Sequence, residues 1–161
     1  MPKKFPLFID LTEKKVVVYG AGVIASRRVE TLLAFTSSLT VFAPEASERV
    51  QRAAEEGYLV WKREAYQEGT IPADAFMVLA ATNDDELHAR ICRDGRAAGA
   101  FVNNASDHEQ CDFYFPSIVR DEQKVIGLNG GGMDHRGTKE LRKKVEQVLE
   151  IGADKSVYDG E

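Results

Sequence analysis

Residues 16–28, Val-Val-Val-Tyr-Gly-Ala-Gly-Val-Ile-Ala-Ser-Arg-Arg, constrain this chain more than any other stretch. A β-branched run enters a glycine turn and a helical pattern follows at once. Gly20, Gly22 and Ala25 fall on the small positions of G-x-G-x-x-A, the strand–turn–helix fingerprint of a dinucleotide site. Gly20 permits the tight turn, Gly22 lets the main chain approach a pyrophosphate, and Ala25 lets the helix sit close to the strand. The helix N-terminus then offers N–H groups and a partial positive charge to the phosphates. The competing reading is a plain glycine-rich turn, so the rest of the chain must supply the context.

That context is an alternation of strands and helices. Val16–Tyr19, Leu39–Ala43, Tyr58–Trp61, Ala75–Ala81 and Ala100–Asn103 read as strands, and Val23–Phe35, Glu45–Glu56 and Glu86–Ala98 as helices. Ala-Phe-Met-Val-Leu-Ala-Ala at 75–81 is nearly continuous in apolar residues, as a central parallel strand covered on both faces should be. The cluster Thr82-Asn83-Asp84-Asp85 offers an N-cap to the helix after it. The expected fold class is α/β, a Rossmann-type doubly wound parallel sheet with ligands at the carboxyl ends of its strands.

The pattern changes after residue 112. Phe113–Val119 and Lys124–Leu128 are separated by only four polar residues, which predicts an antiparallel hairpin; a helix over Gly137–Glu150 follows. A hairpin plus one amphipathic helix is marginal alone, so this segment is expected to dimerise with a second copy. The expected organisation is a Rossmann domain over 1–112, a dimerisation hairpin and helix over 113–150, and a disordered polar tail over 151–161.

Composition narrows the function classes. With 43% apolar and 29% charged residues among 161, the chain reads as an ordinary soluble domain. Its net charge of −5, from 21 basic and 26 acidic residues, argues against nonspecific nucleic-acid binding. No apolar run approaches the ~20 residues of a membrane span, and no signal-peptide core follows the N-terminus. Cys92 and Cys111 form neither a disulfide framework nor a metal spacing, and Cys92 reads as a small buried apolar group. No metal site and no membrane partner are expected, and the expected compartment is the cytoplasm.

Several further segments occur in a recognisable order. They are Phe5-Pro6-Leu7-Phe8-Ile9-Asp10-Leu11, the glycine turn with Arg27-Arg28, Ala43-Pro44-Glu45, Ala80-Ala81-Thr82-Asn83-Asp84, Val102-Asn103, and Cys111-Asp112-Phe113-Tyr114-Phe115-Pro116-Ser117. Together they resemble the precorrin-2 dehydrogenase family, the N-terminal module of sirohaem synthase. The resemblance implies NAD as cofactor, NAD-dependent oxidation of the tetrapyrrole precorrin-2 to sirohydrochlorin, and a homodimer. Some members of that family also insert ferrous iron, and the sequence leaves this step open. The family's cofactor positions fall on Val23 and Ile24, on Pro44 and Glu45, and on Ala81 and Thr82. Glu45 stands where an acid can bond the ribose hydroxyls, or where a first-turn acid favours its own helix.

Two segments depart from the family pattern. The aspartate that the family usually assigns to catalysis falls on Ser106, with Asp107 next to it. The family's Ser-Gly-Gly-x-Ser-Pro is replaced by Asn129-Gly130-Gly131-Gly132-Met133-Asp134-His135. The candidate catalytic residues are therefore Asp107, as a general base, and Ser106. Asn104 and His108 are candidates to position substrate, and the polycarboxylate implied by the resemblance would need cations, for which Arg120, Lys124 and Arg136 are candidates. The competing role for Asp107 is a loop acid closing an Asx turn. His88, inside a helical pattern, reads as a surface residue. Two other readings compete with the dehydrogenase: a non-catalytic NAD- or tetrapyrrole-binding sensor or carrier, and a Rossmann dehydrogenase for another anionic substrate.

Overall fold

The structure is a computed structural model describing residues 4–121, 124–131 and 134–149. The stretch 151–161, expected as a tail, lies outside the described residues, as do part of the hairpin connection, Gly132-Met133 and Glu150. The chain divides into two compact units, Ile9–Phe113 and the described parts of Met1–Phe8 with Tyr114–Glu161.

The larger unit runs β1 (Lys15–Tyr19), α1 (Val23–Leu32), β2 (Leu39–Phe42), α2 (Glu48–Glu55), β3 (Val60–Lys62), β4 (Ala75–Ala80), α3 (Asp85–Ala97) and β5 (Phe101–Asn104), then a 3₁₀ turn at His108–Gln110. The strands are all parallel in the order β3-β2-β1-β4-β5. This is the expected α/β sheet, with its topological switch between β1 and β4. The core follows from composition: Val16 to Tyr19 on β1 and Val78 to Ala80 on β4 are fully buried, because helices or connections cover both faces of these central strands. Tyr19 stacks on Phe42 and meets Tyr66 edge-on.

Element ends differ from the sequence reading for identifiable reasons. α1 stops at Leu32 rather than Phe35 because Ala34 and Phe35 donate to carbonyls only three residues back, a tightened final turn. α2 starts at Glu48, capped by Ser47, so Glu45 lies outside the helix and is not a first-turn acid. Tyr58 is not in β3, because its N–H returns to the Ala53 carbonyl and closes α2. Phe113 does not open a strand; its carbonyl accepts from the Asn103 side chain, and the hairpin begins four residues later.

α3 keeps one glycine in its interior for a packing reason. A Cβ on Gly95 would lie 2.8 Å from Val102 Cγ1 and 3.4 Å from Val78 Cβ. Gly95→Ala is expected to gain about 1 kcal/mol of helix propensity but lose about 2 kcal/mol to overpacking, a net loss that urea denaturation will read.

The smaller unit holds an antiparallel pair, β6 (Ser117–Arg120) and β7 (Val125–Leu128), in register from Ser117↔Leu128 to Arg120↔Val125. α4 (His135–Val148) lies on β6, with Asp134 as its N-cap accepting from Gly137 N–H at 2.8 Å. No residue of α4 is buried, and its apolar Leu141 and Val148 are exposed.

Candidate functional site at the carboxyl edge of the parallel sheet

The carboxyl ends of β1, β2, β4 and β5 are laced together beyond the strands themselves. Gly20 N–H donates to the Phe42 carbonyl at 2.8 Å, Ala81 N–H to Tyr19 at 2.9 Å, and Ala105 N–H to Ala80 at 2.9 Å. Gly20 has φ +105°, and a Cβ there would sit 2.2 Å from the Ala81 carbonyl oxygen, so the glycine turn lies flush on the end of β4. Ser26 and Ser47 hydroxyls meet at 2.8 Å, and Ser26 also donates to the Ala21 carbonyl, tying the turn to the start of α2.

Gly22 contrasts with Gly20. It is the N-cap of α1, no side chain caps the helix, and a Cβ on Gly22 would meet nothing within 4 Å. Val23 and Ile24 follow it with 71% and 55% of their surface exposed, while Ala25 is fully buried against the sheet. A helix N-terminus with open space before it and no internal acceptor fits a pyrophosphate. Pro44 and Glu45, just past β2, are exposed, and among the described residues the Glu45 carboxylate has no hydrogen-bond or ion-pair partner. That leaves it available to ribose hydroxyls. Ala81 is buried and Thr82, whose hydroxyl accepts from Asp84 N–H at 3.2 Å, starts the turn into α3.

The loop after β5 brings Asn104, Ser106, Asp107 and His88 together. Asn104 is buried, and its Oδ1 accepts from Ser106 N–H at 3.0 Å and Asp107 N–H at 3.2 Å. Asp107 caps the 3₁₀ turn: Oδ1 accepts from Glu109 N–H and Oδ2 from Gln110 Nε2, both at 2.9 Å. The exposed Ser106 turns its hydroxyl to His88 Nδ1 at 2.8 Å.

His88 corrects the sequence reading: it is not a surface residue but 2% exposed, inside the edge. The signal was present, because His88, Ile91, Cys92 and Gly95 form one stripe at helical spacing, and all four are buried. Cys92 is buried as expected, and burial pushes its thiol up to about 11. Arg28 reaches Asn103 Oδ1 at 2.5 Å rather than solvent, and burial holds its guanidinium below its ordinary value.

His108 is exposed at the start of the 3₁₀ turn. Arg120, Lys124 and Arg136 belong to the smaller unit. Lys124 pairs with Asp121 at 3.4 Å, Arg136 with Glu140 at 3.2 Å, and Arg120 is exposed at the end of β6. Among the described residues no three His, Cys, Asp or Glu side chains gather as metal ligands, and no helix is long and apolar enough to cross a membrane.

A parallel sheet with its switch beside an uncapped, glycine-fronted helix defines a Rossmann-type dinucleotide-binding protein. Residues 7–117 match a family model described as "Putative NAD(P)-binding". The chain belongs to this family, and the expected NAD agrees with it. The chain is 38% identical over 149 residues to the "Probable multifunctional siroheme biosynthesis protein HemA" of Ruminiclostridium josui, covering 92% of this chain and 28% of that protein. It is 35% identical over 145 residues to a siroheme synthase of Pseudoalteromonas atlantica, covering 90% of this chain and 31% of that protein. The chain thus spans under a third of the length of these relatives. A solved structure named SirC, precorrin-2 dehydrogenase, superposes with a TM-score of 0.77 at 23% identity, over 90% of this chain and 71% of that one, and shows the same fold. The resemblance read from the sequence is borne out by these relatives.

Proposed function

We propose that this chain is an NAD-dependent oxidoreductase that converts precorrin-2 to sirohydrochlorin in sirohaem biosynthesis. The observation that carries the reading is the shared edge. The open N-terminus of α1 at Gly22 and the loop Asn104–Asp107 both rise from carboxyl ends of one sheet, in a chain whose relatives are named for sirohaem synthesis. When bound, NAD accepts the hydride that leaves the substrate. The main chain from Gly20 to Ala25 would hold the pyrophosphate, and Glu45 would bond the ribose hydroxyls. Ala81 and Thr82 would line the coenzyme, and Asn104, Ser106 and His108 are the residues proposed to meet the substrate, with Asp107 beside them in the same loop. Arg120, Lys124 and Arg136 are the cations proposed for carboxylates of the tetrapyrrole. The apolar residues left exposed on α4 favour a second copy of this chain as cover, giving a homodimer. Two free, buried thiols favour the reducing cytoplasm.

An anaerobic assay of the purified chain with NAD and precorrin-2, followed by absorbance, tests the reading. NADH and sirohydrochlorin should appear together. NAD uptake without turnover would favour a non-catalytic carrier instead, and NADH formation only with another metabolite would favour a different dehydrogenase. The same assay with ferrous iron as second substrate reads whether sirohaem follows.

Asp107 acts in this scheme by holding the loop. Asp107→Asn keeps one acceptor oxygen and removes the charge. It is expected to lower turnover roughly tenfold, the equivalent of one weakened charge-assisted bond, with NAD affinity nearly unchanged. Unchanged turnover would remove Asp107 from the mechanism.

A further inference from the structure

We propose that Ser106 and His88 form a proton relay, in which the Ser106 hydroxyl takes the proton the substrate releases while passing its own to His88. The proposal rests on the dehydrogenase reading above and adds to it the destination of the proton.

The argument is a count of hydrogens. His88 Nε2 lies 3.1 Å from the Thr82 carbonyl oxygen, which only accepts, so Nε2 carries hydrogen. A neutral ring then has a lone pair on Nδ1, and Ser106 Oγ, 2.8 Å away, must donate to it. Ser106 Oγ also lies 3.0 Å from Asn104 Oδ1. That atom is fixed as an oxygen by the two N–H groups that point at it, from Ser106 and Asp107. One hydroxyl hydrogen thus faces two acceptors. Asn104 Oδ1 already accepts from those two N–H groups, so with a neutral ring the hydroxyl hydrogen goes to His88 Nδ1.

An added proton also finds a place, because the hydroxyl has a second acceptor to turn to. Nε2–H then donates to Thr82, Nδ1–H to Ser106 Oγ, and Ser106 Oγ–H to Asn104 Oδ1. The arrangement accommodates one more proton than it holds. The charged groups facing the ring suit that state. Asp85 Oδ1 stands 3.7 Å from Nδ1, and the N-cap Asp84 and the first-turn Glu86 lie at the same end of α3, offsetting its positive pole. Asp107, from the neighbouring loop, is turned toward Glu109 and Gln110.

The step balances. Oxidation breaks one C–H bond of the substrate, whose electron pair leaves with the hydride to NAD. A second bond to hydrogen breaks and its electron pair becomes the new double bond. The proton from that bond goes to Ser106 Oγ as the hydroxyl proton moves to His88 Nδ1. Water recovers it afterwards through Ser106, which is exposed while His88 is not. Ser106 is the catalytic residue, and His88 acts only through it.

The experiment uses the full chain, as parent and as Ser106→Ala, His88→Asn and Ser106→Asp with His88→Asn. In the parent without coenzyme, ¹⁵N NMR of histidine should show the hydrogen of the neutral ring on Nε2, with an Nδ1 signal that moves in Ser106→Ala. Under single turnover with NAD and precorrin-2, Ser106→Ala should be about a hundredfold slower at unchanged NAD affinity. Formate or imidazole should restore part of that rate. Ser106→Asp should make His88 dispensable, because a carboxylate accepts the proton itself, and this keeps the test valid if His88→Asn alone folds poorly. Full turnover by Ser106→Ala, no recovery with added base, or an Nδ1–H resting ring would overturn the relay alone. No turnover by the parent would overturn the dehydrogenase reading and the relay with it.

Discussion

Gly20→Ala is expected to cost about 2–4 kcal/mol of stability, seen as a lower urea midpoint at unchanged slope. Two effects add. The backbone at Gly20 has φ +105°, which L side chains rarely adopt, and the new methyl carbon would lie 2.2 Å from the Ala81 oxygen, 2.6 Å from its carbonyl carbon and 2.8 Å from Thr82 N. All three are main-chain atoms at the end of a central strand, and Ala81 N–H is itself bonded to Tyr19. Nothing there is the far end of a flexible side chain, so relief requires moving β4 against β1. A midpoint equal to the parent's would mean that the turn is not seated on β4.

Gly22→Ala should behave in the opposite way: folding is preserved and NAD binding is lost by about 10- to 100-fold. The backbone there, φ −73° and ψ −170°, suits any residue, and the added carbon meets no protein atom within 4 Å. The thermal midpoint of the protein without coenzyme should therefore stay put. The cost falls on the ligand, because the methyl group would occupy the space through which a pyrophosphate reaches the first N–H groups of α1. Titration calorimetry reads the loss directly. Equal affinity would show that the diphosphate does not lie against Gly22.

The parallel sheet was legible because most of its strands are short apolar runs that alternate with helices, two of them marked by the caps Ser47 and Asp84, and period and composition agree. Where local hydrogen bonding competes with period, the sequence misled. Tyr58 looks like a strand residue but closes α2 through its N–H, and Phe113 looks like the start of a hairpin but serves Asn103 through its carbonyl. The 3₁₀ turn at His108–Gln110 carries no periodic signal; Asp107 and Asn104 create it from polar side chains.

The candidate site was legible in part for the same reason. Glycines and small residues mark main-chain geometry, so Gly20, Gly22 and Ala25 could be assigned from spacing. Ser106 could be singled out by position but not explained, since its partner lies 18 residues away on another element. His88 was misread because histidine is polar by habit, although its three stripe-mates are Ile91, Cys92 and Gly95. A polar residue in the middle of an apolar stripe must find its hydrogen-bond partners inside the fold.

The main-chain bonds that continue past β1, β2, β4 and β5 have one more consequence. They convert four separate loop roots into a stiff rim, held by bonds that do not depend on any visiting molecule. A coenzyme arriving at such a rim finds its N–H donors already aimed, and little of its binding energy is spent on ordering the host. Loaded and empty forms should then differ chiefly in side chains such as Val23, Ile24 and Glu45, while the scaffold beneath them stays still.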